Sequence, residues 1–205
     1  MEQFNLIQSD FLEVDLDRAL KPKRFKVIGN LPYAVVSPIL QKLLAWNSWT
    51  VAVVMTQKEV ADRILSGPGT KDYGVLSVSV QSRCRIEKVC KVSRYAFRPV
   101  PKVESTVLKL IPLPKPAFNK EEEKRFFAVV KAAFAHRRKT ILNSLTRALK
   151  LPQSALRDGL EKCGLSPGAR AETVSVEDFK RLSDILYNGT LTPTLSRQGR
   201  GGAKS

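Results

Sequence analysis

Residues 25–56 read "FKVIGNLPYAVVSPILQKLLAWNSWTVAVVMT", and the order of patterns in this stretch decides the fold. "FKVIG" is a short apolar strand. Ser37 followed by Pro38 reads as an N-cap with proline at the first helical position. Ile39, Leu40, Leu43 and Leu44 then give one apolar helix face. "TVAVVMT" is a continuous, β-branched run, as expected of a strand buried on both faces of a parallel sheet. Strand, helix and strand in succession predict an α/β sheet.

The patterns on either side extend this reading. "QFNLIQSD" places a short strand at Phe4–Ile7, ending in Ser9-Asp10. "QKEVADRIL" is helical, "SGPGTKDYG" is a Gly/Pro loop, and "IEKVCKVS" and "STVLKLIP" are strands. "VLSVSVQSRC" is ambiguous by period. "PLPKPAF" has three prolines in five positions and reads as a linker. Beyond it only helical patterns occur, and Asn119 with Glu122 resembles a capping box. The expected organisation is a sheet domain at 1–112, a Pro-rich linker at 113–118, a helical domain at 119–187 and a disordered tail at 188–205.

Composition narrows the partners. Lys and Arg total 35 against 19 Asp and Glu, a net charge of +16, which favours a polyanion such as RNA or DNA. The charge is uneven: residues 1–17 carry five acids and no base, and residues 136–150 carry five Lys or Arg and no acid. The longest apolar run, Val51–Met55, is far shorter than the roughly 20 residues of a membrane span. "MEQFNLIQSD" lacks a secretory pattern. Three cysteines without CxxC spacing give neither a disulfide framework nor a zinc site. A cytoplasmic monomer without membrane or metal is expected.

In open α/β sheets, ligands sit beyond the carboxyl ends of strands. Ser9-Asp10 and Asn30-Leu31-Pro32-Tyr33 both fall there. The exocyclic amine of a nucleobase is a poor nucleophile, because its lone pair is delocalised into the ring. An Asn oxygen and a neighbouring carbonyl can accept both its N–H bonds and orient it. Proline fixes the turn, and tyrosine offers a stacking face for an extruded base. The same four residues also suit a tight strand-to-helix turn with no chemistry. The lone His136 has no Ser or Cys partner in the pattern, so a nucleophilic triad has little support.

Longer motifs carry a resemblance. "GNLPYAVVSPIL", "VVMTQKEVADRIL", "DYGVLSVSVQ", "FRPVPKVESTVLKLIP", "AFAHRRKTILNSL" and "RAETVSVEDFKRL" resemble, in order, segments of the rRNA adenine N6-dimethyltransferases. The resemblance covers about residues 4–187. It is stronger to the branch acting on small-subunit (16S) rRNA. The erythromycin-resistance branch, which acts on 23S rRNA, has a helical domain less similar to "RRKT…RAET".

The resemblance implies a Rossmann-like sheet, S-adenosylmethionine as methyl donor, and N6-dimethylation of two adjacent adenines near the 3′ end of small-subunit rRNA in the pre-30S particle. Asp10 matches an acid that binds the donor's adenine. Asn30, Leu31, Pro32 and Tyr33 match the motif around the target amine, with Asn30 also beside the donor. Phe97 matches an aromatic that stacks on the flipped adenine opposite Tyr33. Lys102 and the Arg137-Arg138-Lys139 run would contact phosphates, the alternative for the run being a solvated helix face.

The family pattern begins with a strand, a Gly-rich loop and an acid for the donor's ribose, none of which has a counterpart in these 205 residues. By resemblance, Phe4–Ile7 is the family's third strand, the chain is N-terminally truncated, and the outer edge of Phe25–Gly29 is open. Two readings follow: a dimethyltransferase, or a catalytically inactive fragment that docks on small-subunit rRNA through the helical RNA-binding domain at 119–187 and does not bind S-adenosylmethionine.

Overall fold

A computed structural model describes residues 4, 6–20, 24–46, 48–114 and 119–188. The strands β1 (Phe25–Asn30), β2 (Trp49–Gln57), β3 (Cys84–Val92) and β4 (Ser105–Pro112) form one sheet in the order β1-β2-β4-β3. β1 and β2 are parallel, joined by the crossover helix α2 (Val36–Ala45). β4 runs antiparallel to both of its neighbours. The four-residue helix α1 (Leu16–Ala19) precedes β1, capped by the Asp15 carboxylate. The helices α3 (Lys58–Leu65) and α4 (Val75–Gln81) lie between β2 and β3. The period-ambiguous "VLSVSVQ" is therefore helical. Its Val78 and Val80 are fully buried, each in a different core.

The sheet is mixed, and this corrects the expectation for β2. Trp49, Ala52, Val54 and Thr56 are buried, whereas Val51, Val53 and Met55 are half-buried. One face of the strand packs into a core shared with Leu40 and Leu43 of α2 and Ala61 and Ile64 of α3. Cross-strand neighbours share a face, so Ile28 and Asn30, opposite Val53 and Met55, lie on the other side. Ile28 is 87% exposed there.

Two further expectations change. Phe4, Leu6 and Ile7 have no strand pairing among the described residues and are exposed; a strand needs a ladder partner, and none lies beside them. β1 is accordingly an edge strand. The α2 helix begins at Val36 rather than after Ser37, because a 3₁₀ turn at Tyr33–Val35 runs directly into it. Pro38 then occupies the first helical turn, where its missing N–H costs nothing.

Four helices follow: α5 (Lys120–Phe134), α6 (Ile141–Ala148), α7 (Gln153–Lys162) and α8 (Val176–Asn188). The capping box forms as the sequence predicts. Asn119 Oδ1 accepts the Glu121 and Glu122 N–H groups, and Glu122 returns a bond to the Asn119 N–H at 2.9 Å. Phe126, Leu145, Leu156 and Phe179 form the centre of this second core, which also takes in Tyr73 and Val78 from the sheet side. The Arg83 guanidinium lies over Phe127 and bonds Glu123, tying α5 to the start of β3. Residues 115–118 of the expected linker and 189–205 of the expected tail lie outside the described residues.

Candidate functional site

The turn after β1 is held from below. Leu31 is buried, and its N–H donates to the Met55 carbonyl at 3.0 Å, extending the ladder one residue past Asn30. A side chain at Gly29 would meet Leu31 Cδ2 at 3.2 Å, so glycine lets Leu31 fold back against the strand. Pro32 has φ −59° and its carbonyl accepts the Val35 N–H at 3.1 Å. Asn30, Pro32 and Tyr33 are left exposed around this anchored leucine.

The loop between β3 and β4 closes the other side. It leaves β3 through a 3₁₀ turn at Arg94–Ala96, passes Phe97 and a cis Arg98–Pro99 peptide, and enters β4 at Ser105. Asn30, Leu31, Pro32 and Tyr33 line a cleft of ≈ 360 Å³ together with Phe97 from this loop. Arg98, Pro99 and Pro101 complete its wall. The structure thus brings together the five residues that the sequence singled out around the target amine. The Tyr33 hydroxyl lies 3.1 Å from Ser105 Oγ, and Ser105 is buried. Sequence reasoning quoted Ser105 within a motif but gave it no task, because its partner is distant in the chain.

Asp10 lies outside this cleft lining, in the exposed segment before α1. Its Oδ1 accepts the Leu12 N–H at 2.8 Å, and its carbonyl accepts from Glu13 and Val14. Lys42 of α2 pins the segment: its ammonium donates to the Leu12 carbonyl at 2.8 Å and to the Val14 carbonyl, and sits 5.6 Å from the Phe11 ring centre.

The proposed phosphate contacts divide. Lys102 is exposed in the β3–β4 loop. Arg137, Arg138 and Lys139 occupy the turn between α5 and α6, so the alternative of a solvated helix face does not apply to them. The helix stops at Phe134, and α6 restarts only at the Thr140 cap. Arg137 is engaged within the fold: it donates to the Lys71 carbonyl and pairs with Glu172 at 3.7 Å. Arg138 and Lys139 are exposed.

A second cavity of ≈ 290 Å³ opens where the loop meets β4, with Glu59, Asp62, Asp72 and Glu104 in its wall beside Lys58. The hydrogen bond to Asp62, at 2.6 Å, raises the Lys58 pKa. Among the described residues, no group of three or more His, Cys, Asp or Glu is arranged to hold a metal. No described helix is long and apolar enough to cross a membrane.

The family described as ribosomal RNA adenine dimethylase matches residues 1–188. The chain is 41% identical over 187 residues to the ribosomal RNA small subunit methyltransferase A of Clostridium botulinum (strain Loch Maree / Type A3), covering 90% of this chain and 68% of that protein. With the protein of the same name from Caldanaerobacter subterraneus subsp. tengcongensis, identity is 43% over 186 residues, covering 89% and 69%. Among solved structures, a dimethyladenosine transferase from Plasmodium falciparum aligns with a TM-score of 0.71 at 27% identity, covering 86% of this chain and 70% of that one. The 23S rRNA methyltransferase ErmE aligns at 0.63 and 30%, covering 88% and 70%.

Proposed function

The chain belongs to the ribosomal RNA adenine dimethylase family, a family of S-adenosylmethionine-dependent enzymes, and on that premise we propose that its cleft is the target-base pocket of a small-subunit rRNA dimethyltransferase. The substrate is two adjacent adenines near the 3′ end of that RNA, modified at N6 in the pre-30S particle during ribosome biogenesis. The enzyme works as a cytoplasmic monomer. The observation that carries this reading is the convergence of Asn30–Tyr33 with Phe97 on one cleft. The 41% and 43% identities to small-subunit enzymes favour that RNA over 23S rRNA.

The donor set suits S-adenosylmethionine at two points. The Asp10 carboxylate is an acceptor for an adenine amino group, and the Asn30 amide can both donate and accept. When bound, S-adenosylmethionine supplies a methyl group made electrophilic by its sulfonium. The chain's own residues prepare the amine that receives it. The Asn30 amide oxygen and the Leu31 carbonyl accept the N–H groups, drawing the lone pair out of conjugation and meeting the positive charge that develops on nitrogen. Pro32 fixes the carbonyl before it. Tyr33 and Phe97 hold the base between two rings, each stack being worth about 1–3 kcal/mol.

The test is methyl transfer from labelled S-adenosylmethionine to small subunits lacking the modification, with the nucleosides identified by mass spectrometry. N6-dimethyladenosine in small-subunit rRNA is expected, with a rate about 10²- to 10³-fold lower for Asn30→Ala. Labelling of 23S rRNA in place of small-subunit rRNA when both subunits are supplied, or an unaffected Asn30→Ala, would overturn the assignment. RNA binding without any transfer is the outcome that the inactive-fragment reading requires.

A further inference from the structure

We infer that the exposed edge of β3 and the loop after it form a track for single-stranded RNA, with Tyr95 as the stacking platform for a nucleotide flanking the target base. The inference rests on the RNA-modifying reading above and extends it to Lys88, Lys91, Arg94 and Tyr95, which no motif singled out.

Residues 88–102 hold five bases and no acid: Lys88, Lys91, Arg94, Arg98 and Lys102. All five are exposed, and none makes an ion pair among the described residues. Arg137, by contrast, is already paired with Glu172. Unpaired cations in a row are what a phosphate backbone displaces counterions to meet.

The geometry of β3 reinforces the pattern. In a regular strand Lys88 and Lys91, three apart, would point to opposite faces. A bulge between Lys88 and Cys90 inserts Val89 and shifts the register. Lys88 therefore lies opposite Leu108 and Lys91 opposite Thr106. Those two are separated by one residue on β4, so both lysines share one face.

Tyr95 follows where the chain leaves the sheet, two residues before Phe97 of the cleft. It is 72% exposed. Its ring is nonetheless held: the Arg94 guanidinium sits 4.9 Å from the ring centre and donates to the Tyr95 hydroxyl at 2.8 Å. The Ser93 hydroxyl caps the turn by accepting the Tyr95 N–H at 3.3 Å. An exposed aromatic, oriented by an arginine and flanked by unpaired cations, suits base stacking with adjacent phosphate contact. Beyond Lys102 the sign of the surface changes at Glu104 and the acidic cavity, which sets the end of the track.

The experiment measures binding of the full chain to a single-stranded oligoribonucleotide, one adenine among uridines, by fluorescence anisotropy across a salt series. Tyr95→Ala is expected to weaken binding roughly 5- to 150-fold with an unchanged salt slope, and Tyr95→Phe, which keeps the ring but loses the Arg94 bond, to weaken it less. Lys88→Ala with Lys91→Ala should lower the log–log salt slope by about 1.4, from about 0.7 per phosphate. Circular dichroism verifies that each variant is folded. Wild-type binding that neither Tyr95→Ala nor the double lysine variant changes overturns the track and leaves the cleft assignment standing. A wild-type chain that binds no RNA overturns both.

Discussion

The hydroxyls of Tyr33 and Ser105 meet at 3.1 Å across 72 residues of chain, joining the turn after β1 to the first residue of β4. Tyr33 is 38% exposed, while Ser105 is 1% exposed. A buried, immobile group thus fixes the far end of a ring that borders the cleft. Removing it leaves the ring in place but free to turn. A neutral hydrogen bond of this kind contributes about 0.5–1.5 kcal/mol. Ser105→Ala should therefore weaken binding of adenine-containing RNA by about 3- to 10-fold. Tyr33→Phe should do the same, and the double variant should be no worse than either alone, because one bond is lost in all three. Additive losses in RNA titrations would show that the two residues act separately.

Lys42 is the strut beneath the segment that carries Asp10. Its ammonium bonds two carbonyls, at Leu12 and Val14, and lies near the Phe11 ring. A hydrogen bond to a charged group contributes about 1.5–3 kcal/mol net, and less where that group is half-exposed as Lys42 is. Lys42→Met keeps the apolar stem and removes all three contacts. The expected result is a loss of about 1–3 kcal/mol in urea unfolding, together with faster proteolysis within residues 4–15. Unchanged proteolysis there would mean that the segment is held by Leu16 and Trp46–Asp17 contacts alone.

The legible parts of this molecule are those where one local rule decides. The α2 stripe and the Asn119–Glu122 box follow from spacing and capping within a few residues. The cleft was legible because its residues lie in motifs that resemble a known family. Phe4–Ile7 was not, since a strand exists only with a partner and none pairs with this segment among the described residues. The β2 run looked two-faced, but apolar content cannot say which neighbour is antiparallel. Ser105, the Arg137–Glu172 pair and the bulge at Val89 each depend on contacts between distant segments.

The Arg137–Lys139 run should behave as two parts, not one. Arg137→Ala breaks a surface pair with Glu172 and a bond to the Lys71 carbonyl. At 59% side-chain exposure that pair is worth about 0–1 kcal/mol after screening. Its measurable effect is a small fall in melting temperature. Arg138→Ala with Lys139→Ala should leave stability unchanged and lower the salt slope of rRNA binding by about 1.4 to 1.8, for single- or double-stranded contacts. If Arg137→Ala alone flattens the slope as much as the pair does, the internal contacts yield to RNA on binding.

Cys84 makes the alkaline limit of the fold measurable. It is buried beneath the start of β3, and burial pushes its thiol from 9.0 up to about 12, with Arg83 opposing only in part. The folded state therefore holds this proton more tightly than the unfolded chain does. That contribution to stability is fully present below pH 9.0 and is lost as pH rises toward 12. Each such group lowers stability by at most about 1.4 kcal/mol per pH unit. Tyr73, raised mainly by burial and then by Glu177 and Asp178, adds its own loss only from pH 10.0 upward. Between these values Cys84 acts together with Cys163, whose thiol is also raised by burial. Urea midpoints of the wild type are expected to fall across that interval, and those of Cys84→Ala to fall less from a lower starting point. Parallel declines would assign the alkaline loss to other groups. A thiol reagent at neutral pH gives an independent readout, since Cys90 should react in the folded chain and Cys84 and Cys163 only on unfolding.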